Sequence, residues 1–562
     1  MFGMRRRVPG ILVLGSTVRD AQVKLGYCIV NAETGRSHPT GKSDRRGLKV
    51  GIIELLTDKL ITSRVERVYS TYLTKQYVSV APQVVAVWCR KLGHEVHYTT
   101  YYGQADPRSL LPGQLDVVFV SSYTRASTLA YALAKLLRKE GIVTVIGGPH
   151  AKSYPVDCLR FFDLAVLECD KELISDILLG QFDYPSIVSS GRPLTDIPSV
   201  EERMPEIHAS VFDRGRRTLT TLVPILASVG CPYACDFCTD WDSSYTALPA
   251  DQLEADLRYL AEHLPGVLIA YHDPNFGVRF DETMEVIERI PRKRRNPYVM
   301  ESSLAIMKES RLQRLKDTRC VFVAPGVESW NSYSNKAGVG SKQGRDKLEQ
   351  VVAHFDLLKD YVPGLQANFL LGLDCDMGSD PVELTKEFIR RSPQVWPTIN
   401  IPTPLGGTPL FDEVHGEGRI LCAMPFSLYF TPYYMATKLK HYDPIEFYDH
   451  LIDIYSTIGS ARMLAKRVLF GGHPFFRFLN SVRTLDDRRD IREFRTVRDM
   501  LASDKQFLAF HEGREAALPE FYHQRAKSRM GAYAELISSE ERTPWLEPID
   551  PQVANGRFAL SY

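Results

Sequence analysis

The chain has 562 residues, a formal net charge of +1, and a composition that is 44% apolar and 24% charged. That balance excludes a strongly basic nucleic-acid binder and a highly charged disordered chain, and no apolar run is long enough to cross a bilayer, so neither nucleic acid nor membrane is expected as a partner. The length exceeds what one core accommodates, and two or three domains of about 100 to 200 residues are expected.

The opening, MFGMRRRVPGILVLGSTVRD, sets basic residues before a short apolar run, lacks a small-residue cleavage site and meets Arg19 and Asp20 almost at once. Residues 1–48 therefore read as an N-terminal extension and not as a secretory signal. From Lys49, short β-rich runs alternate with segments of helical period, the pattern of parallel βα units. The strands are KVGIIELL (49–56), HEVHYTT (94–100), LDVVFVSS (115–122), VTVIGGPH (143–150) and DLAVLECDKE (163–172), with helices at 81–93 and 128–141. This is the order of a doubly wound, Rossmann-like α/β domain over 49–183.

Polar or glycine residues finish several of these strands: Ser121 and Ser122, Gly147 and Gly148, and Glu168. In an open parallel sheet the carboxyl ends of the strands are where ligands bind, because helix N-termini and free loop amides converge there. Gly147 and Gly148 would let the backbone approach a bulky ligand; a Gly-Gly-Pro sequence equally serves a simple chain turn.

Residues 184–217 lose periodicity and gain proline, serine and charge, the signature of a linker. A second alternating block follows over 218–430, with strands at 218–230, 266–273, 296–303, 320–329, 364–374 and 397–404. Six βα units predict a partial (β/α)6, TIM-like barrel whose chemistry sits at the strands' C-terminal mouth. Beyond about residue 425 the reading is helical, giving a C-terminal helical region over 431–562 that is expected to help shape the substrate pocket. Its aromatic clusters at 429–443 and 471–480 read as core packing, and the arginine-rich 486–500 as a solvated helix face.

Of the ten cysteines, Cys28, Cys89, Cys158, Cys169, Cys320, Cys375 and Cys422 stand singly and read as buried apolar residues. The other three, Cys231, Cys235 and Cys238, fall within GCPYACDFC just after the first strand of the second block. Structural zinc normally takes four ligands, and no second CxxC stands elsewhere. A four-iron cluster suits three thiolates better, and leaves one iron free to bind a further ligand. Thiols kept for that purpose imply a reducing compartment, and so the cytoplasm.

CxxxCxxC with Phe237 before the last cysteine, opening a six-unit βα block, resembles the radical S-adenosylmethionine superfamily. The resemblance implies a 4Fe-4S cluster on Cys231, Cys235 and Cys238. It implies S-adenosylmethionine chelating the open iron, and an electron from the cluster splitting it to a 5′-deoxyadenosyl radical. YHDPNF (271–276) resembles the family's segment near the methionine amine, which makes Asp273 and Asn275 candidate contacts beside Phe237. PGVES (325–329) is similar to the glycine-to-glutamate-serine strand end common in this branch of the family, with Glu328 facing the site. FLLGLD (369–374) and PTPLGGTPL (402–410) are similar to the family's fifth and sixth strand ends.

The block at 49–172, with VIGGPHA (145–151), resembles the cobalamin-binding domain that precedes the radical core in one branch. Ser121, Ser122, Gly147, Gly148 and Glu168 are then cobalamin-binding candidates. The chain has no Asp-x-His-x-x-Gly motif. That fits cobalamin held without a protein histidine, the reading adopted, and also a domain that has lost its cofactor. His150 reads as a hydrogen-bonded loop residue, not as a cobalt ligand.

The resemblance implies an enzyme that methylates an unactivated carbon of a small or peptidic metabolite lying between the two domains, with an electron donor such as flavodoxin or ferredoxin. A radical cyclisation, rearrangement or decarboxylation without methyl transfer, and a non-catalytic iron-sulfur redox sensor, are the alternatives. Methylthiolation is set aside, since such enzymes carry a further N-terminal cysteine trio.

Overall fold

The computed structural model describes residues 47–60, 78–218, 221–429 and 433–547, together with the backbone of 558–561. All but the end of the expected N-terminal extension, and Cys28 with it, lies outside them. The architecture is mixed α/β with two large parallel sheets.

The first sheet is built from β1 (Lys49–Leu55), β2 (Glu95–Tyr101), β3 (Val117–Ser122), β4 (Val143–Gly147), β5 (Leu164–Val166) and β6 (Ser186–Ser189), in the order β6-β5-β4-β3-β1-β2. Central strands buried on both faces read as unbroken apolar runs, and six of the seven β1 residues are buried. Alternate side chains feed two cores. Ile53, Leu55, Val118 and Val120 pack with the helix Ser127–Lys139, while Val50, Ile52, Val117 and Phe119 pack with the helices Val80–Lys91 and Lys171–Leu179. The strand order reverses between β1 and β3, so the crevice beyond their carboxyl ends is the topological switch point.

The second sheet begins at β7 (Leu222–Ile225). A two-residue hairpin, β8 (Ser228–Val229) and β9 (Thr246–Ala247), follows before β10 (Leu268–Tyr271), β11 (Tyr298–Met300), β12 (Cys320–Val323), β13 (Gly326–Glu328), β14 (Gly364–Leu370) and β15 (Val395–Asn400). β7, β10, β11, β12, β14 and β15 pair in sequence order, all parallel, and β13 continues β12 along β14. Amphipathic helices connect them. Ala250–His263 buries Leu253, Leu257 and Leu260, and Gly344–Leu358 buries Leu348, Val351 and Phe355.

Several expectations need correction. The segment 184–217 is not an unstructured linker: it supplies β6 and the helix Met204–Val211, whose Ile207 and Val211 are buried. The strand expected over 218–230 is only four residues long, because Ala227 and Ser228 turn off to open the β8–β9 hairpin. The C-terminal region is not purely helical, since β16 (Phe558–Ser561) pairs antiparallel with β6. Cys422 is exposed, and Cys169 and Cys375 are only half-buried. In 471–480 only part of the aromatic cluster packs inward: Phe476 lies against Phe322, whereas Phe475 and Phe478 face outward.

The C-terminal helices divide their contacts. Pro444–Ile458 and Pro474–Ser503 bury Leu451, Ile454, Phe494 and Val497 in the core that includes the second sheet. Met530, Tyr533, Ala534 and Ile537 instead join the core of the first sheet. Arg529 donates two 2.6 Å hydrogen bonds to the carboxylate of the fully buried Asp58.

The loops beyond the carboxyl ends of β4 and β15 touch. The Tyr154 hydroxyl donates to the Pro404 carbonyl at 2.7 Å, and a Cβ on Gly406 would lie 2.1 Å from the Ser153 carbonyl oxygen. No described helix is long and apolar enough to cross a membrane.

Candidate functional site

The cysteine loop leaves the end of β7 through Gly230. Its φ is +70°, and a Cβ there would lie 2.3 Å from the Ser244 carbonyl oxygen. Glycine alone satisfies both the left-handed backbone and the close approach. Cys231 donates its backbone N–H to Ser243 O, and the amides of Cys238 and Trp241 close successive turns onto Cys235 O and Cys238 O. The loop is then tied to the far side of the sheet: Trp241 Nε1 donates to Gly407 O at 2.8 Å, Leu410 N to Asp236 O at 3.0 Å, and the Tyr333 hydroxyl to the Asp236 carboxylate.

Of the three thiols Cys235 is the most buried. Burial pushes it up to about 11, against the pull of the nearby Lys336 ammonium, with Glu328 and the other two thiols adding to the rise. A thiol raised in this way gives up its proton only as metal binds, and the three sulfurs are then the thiolate donors that an iron-sulfur cluster takes.

A cavity of about 430 Å³ opens beside this loop at the carboxyl ends of the strands. Its wall includes Phe237 from the loop, Asn275 after β10, Glu301 after β11, Gly326 and Glu328 on β13, and Lys336. β14 contributes Gln366, Asn368 and Leu370, and Asn400 comes from the end of β15. Strand alternation explains the β14 set: Leu365, Ala367 and Phe369 point into the core, so every second residue faces the cavity.

Glu328 has φ +63°, a left-handed conformation rare outside glycine. It folds the carboxylate back over Gly326, where a Cβ would sit 2.0 Å from Oε1, and brings it within 3.6 Å of Lys336 Nζ. Burial raises the pKa of Glu328 and Lys336 opposes that rise. For Lys336, burial works against the charge, but Glu328 and the three thiols outweigh it and hold the amine above its usual value. Lys336 also stands over the Phe237 ring at 5.6 Å, and Phe237 stacks on Tyr333.

The two candidates in YHDPNF separate. Asp273 is buried and accepts from Ala227 N and from Ser228 Oγ at 2.5 Å, so it pins the end of β7 and is not part of the cavity wall. Burial lifts it to about 6 against those hydrogen bonds. Asn275 does line the cavity: its Oδ1 accepts from Ser303 N at 3.0 Å, while its Nδ2 is buried with no protein acceptor. A donor so placed is available to an acceptor in the cavity, a ligand or water.

PGVES and FLLGLD are joined by Asp376, which accepts from Ser329 Oγ at 2.8 Å and from the amides of Gly372 and Leu373. Glu301, Lys336, Gln366, Asn368 and Asn400 were not singled out from the sequence; the apolar/polar alternation of LQANFL was a usable signal for Gln366 and Asn368, and Lys336 carried none. Among the described residues, the wall of this cavity draws on none from the C-terminal region.

In the first sheet, Gly148 has φ +89° and closes tightly on Ser121 Oγ and Ser122 N, at 3.0 and 3.2 Å from where its Cβ would be. Around Gly147 a Cβ would meet nothing nearer than Val166 O at 4.0 Å, so the approach to the β4 end is open. Ser122 Oγ donates to Tyr123 O, and Glu168 pairs with Lys152 at 3.1 Å. His150 is fully buried in the helix Pro149–Ser153, with Nε2 2.6 Å from the Tyr131 hydroxyl and Nδ1 3.4 Å from Thr124 Oγ1. Burial lowers its pKa to about 3, and with both nitrogens engaged it is a neutral packing residue and not a metal ligand.

Residues 225–386 match the model of the radical SAM superfamily. Bacteriochlorophyllide d C-8(2)-methyltransferase of Chlorobaculum tepidum is 23% identical over 395 residues, covering 66% of this chain and 83% of that protein. Hopanoid C-3 methylase of Methylococcus capsulatus is 24% identical over 456 residues, covering 73% and 84%. Among solved structures, the radical S-adenosylmethionine methyltransferase TsrM from Kitasatospora setae, with cobalamin and a 4Fe-4S cluster bound, superposes with a TM-score of 0.51 at 12% identity, over 80% of this chain and 99% of that one. The cobalamin-dependent S-adenosylmethionine radical enzyme OxsB, with aqua-cobalamin bound, gives 0.52 at 12% identity, over 88% and 80%.

Proposed function

Since this chain belongs, through residues 225–386, to the radical S-adenosylmethionine superfamily, we propose that it is a cobalamin-dependent radical enzyme that methylates an unactivated carbon of a small or peptidic metabolite. The observation that carries the reading is the three-thiol loop beside a cavity whose wall holds an unpartnered amide donor, at the mouth of parallel strands. In this reading 49–183 is the cobalamin-binding domain, 218–430 a partial (β/α)6 barrel, and 431–562 a C-terminal region braced against both.

Cys231, Cys235 and Cys238 hold the 4Fe-4S cluster. Asn275 Nδ2, freed by the clamp of Oδ1 on Ser303, donates to S-adenosylmethionine, and Glu328 with Lys336 offers it a paired acceptor and donor. Phe237 covers one side of the cavity and excludes water there. Asp273 acts at one remove by holding the start of the cysteine loop. Ser121, Ser122, Gly147, Gly148 and Glu168 form the rim on which cobalamin rests, and His150 stays off the metal. When bound, the cluster with S-adenosylmethionine supplies radical chemistry at a carbon–hydrogen bond and cobalamin supplies the methyl group. A flavodoxin or ferredoxin delivers the electron, and the substrate lies where the loops after β4 and β15 meet.

The methyltransferase relatives favour this over a radical rearrangement or a redox sensor. The test is anaerobic reconstitution with iron, sulfide and hydroxocobalamin, then a count of bound iron and cobalt and an electron paramagnetic resonance spectrum with and without S-adenosylmethionine. Stoichiometric cobalt, a spectrum that changes on adding S-adenosylmethionine, and formation of both 5′-deoxyadenosine and S-adenosylhomocysteine are expected. Zinc in the protein, or 5′-deoxyadenosine without S-adenosylhomocysteine on turnover, would sink it.

A further inference from the structure

The near-neutral charge of the whole chain conceals a local imbalance. Residues 454–485 hold five lysines and arginines and not one aspartate or glutamate. They form the end of one helix and a pair, Ala461–Phe470 and Pro474–Ser503, joined by a Gly-Gly-His turn. Leu469, Phe470, Phe475, Phe478, Val482 and Leu485 on this pair are between 39% and 69% exposed. In the second helix the exposed residues recur at i, i+3, i+7 and i+10, one continuous stripe.

The exposure is enforced by the inner face. Phe476 stacks on Phe322, 6.1 Å between ring centres, and fills the space above Gly364. The buried Arg467 lays its guanidinium over the Trp396 ring at 4.7 Å and donates to Ile458 O and to Thr484 Oγ1. With Phe476 and Thr484 turned inward, Phe475, Phe478, Val482 and Leu485 can only turn outward. Arg462, Lys466 and Arg477 flank the stripe, while Arg483 lays its guanidinium 5.5 Å from the centre of the Trp396 ring. Lys466 and Arg477 spend hydrogen bonds on the carbonyls of Arg390 and Gly472, which leaves their charge uncompensated.

Phenylalanine and leucine on one face with arginine and lysine along its edges is the composition of a helix that lies in a lipid interface, apolar side in the acyl boundary and cations at the headgroups. We propose that the hairpin 461–485 docks this protein on an anionic lipid surface. Gly364 begins β14 and Phe322 is its partner in β12, so the docking face is at the amino-terminal end of β14, opposite the cavity mouth. The proposal does not depend on the reading of the cavity. It also revises the expectation of no membrane partner: that expectation rested on the summed charge and on the lack of a spanning segment, and neither reports on a surface helix.

The test is cosedimentation of the full-length protein with vesicles of phosphatidylcholine alone or with one third phosphatidylglycerol. Each cation held at an anionic surface contributes about fivefold in partitioning, so at least tenfold stronger binding to the anionic vesicles is expected, weakening as salt is raised. F470S/F478S should melt within about 2 °C of the parent, because both side chains are exposed, and lose roughly tenfold or more of the binding. R462E should lower binding to the anionic vesicles and not to the neutral ones. Equal, negligible partition onto both vesicle types would overturn the proposal. So would a self-association, or a complex with an acidic electron-carrier protein, that F470S/F478S abolishes while vesicles are ignored.

Discussion

Gly230→Ala tests whether the geometry of the cysteine loop, and not merely its thiols, is needed to hold metal. The new methyl would lie 2.3 Å from Ser244 O, 2.7 Å from Ser244 C and 2.9 Å from Ser243 O, all backbone atoms that no rotamer change can move aside. An alanine at φ +70° adds about 1 to 2 kcal/mol of left-handed strain. Pushing 243–244 outward breaks the Cys231 N–H to Ser243 O hydrogen bond, worth about 1 kcal/mol, and overpacking contributes roughly 1 to 3 kcal/mol more. The sum, about 3 to 6 kcal/mol, falls on a two-stranded hairpin at the edge of the sheet, so the loop should open locally while the core of the second sheet stays folded. The assay is iron and sulfide per chain after anaerobic reconstitution, beside a melting curve of the apoprotein. G230A should hold less than half of the parent's iron and melt only a few degrees lower. A variant that loads its full complement and responds normally to S-adenosylmethionine would refute the reasoning.

Gly406→Ala presses a methyl to 2.1 Å from Ser153 O, between the loops that follow β4 and β15. Loading of iron and of cobalt should each persist while the methyl-transfer rate falls by about a hundredfold, the effect of displacing reactants by roughly 1 Å; an unchanged rate would remove that contact from the mechanism. Arg529→Ala strips the fully buried Asp58 of two charged hydrogen bonds and should cost about 3 kcal/mol in denaturant unfolding, with Arg529→Lys recovering part of it. Burial holds the His511 imidazole down at about 3, so it stays neutral in the folded chain and charges near 6.5 once unfolded; its stabilisation is full above 6.5 and is lost at about 1.4 kcal/mol per pH unit as pH falls from there toward 3. His511→Phe should therefore flatten the acid limb of the stability curve by about one proton, and an unaltered slope would show that His511 does not contribute to it.

The alternation of strand and helix was legible because parallel strands covered on both faces need nearly unbroken apolar runs, as in β1 and β3, while β14 alternates because one of its faces lines the cavity. The segment 184–217 was not: β6 has two serines in four residues, and what makes it a strand is pairing with β5 on one side and with β16 on the other. That second partner arrives from more than 350 residues away, a distance no local pattern crosses. The outward phenylalanines of 471–480 were misread for a related reason, since aromatic content alone does not say which stripe of a helix meets Phe322 and Trp396.

The cysteine spacing was legible because chemistry, not packing, dictates it. The remaining site residues divide according to hydrogen-bond accounting that only three dimensions provide. Asp273 and Asn275 stand two residues apart and look alike in sequence. The donors that consume Asp273, Ala227 N and Ser228 Oγ, come from the end of the adjacent strand, and they turn a candidate ligand contact into a brace. Asn275 spends one end of its amide on Ser303 and keeps the other, buried and unpaired, in the wall of the cavity. An unpaired buried donor costs about 1 to 3 kcal/mol, and one in a cavity wall can be satisfied by a bound acceptor. By the same criterion His150, with both nitrogens engaged, is structural. Glu328, held in a left-handed backbone with Lys336 beside it, lines the cavity.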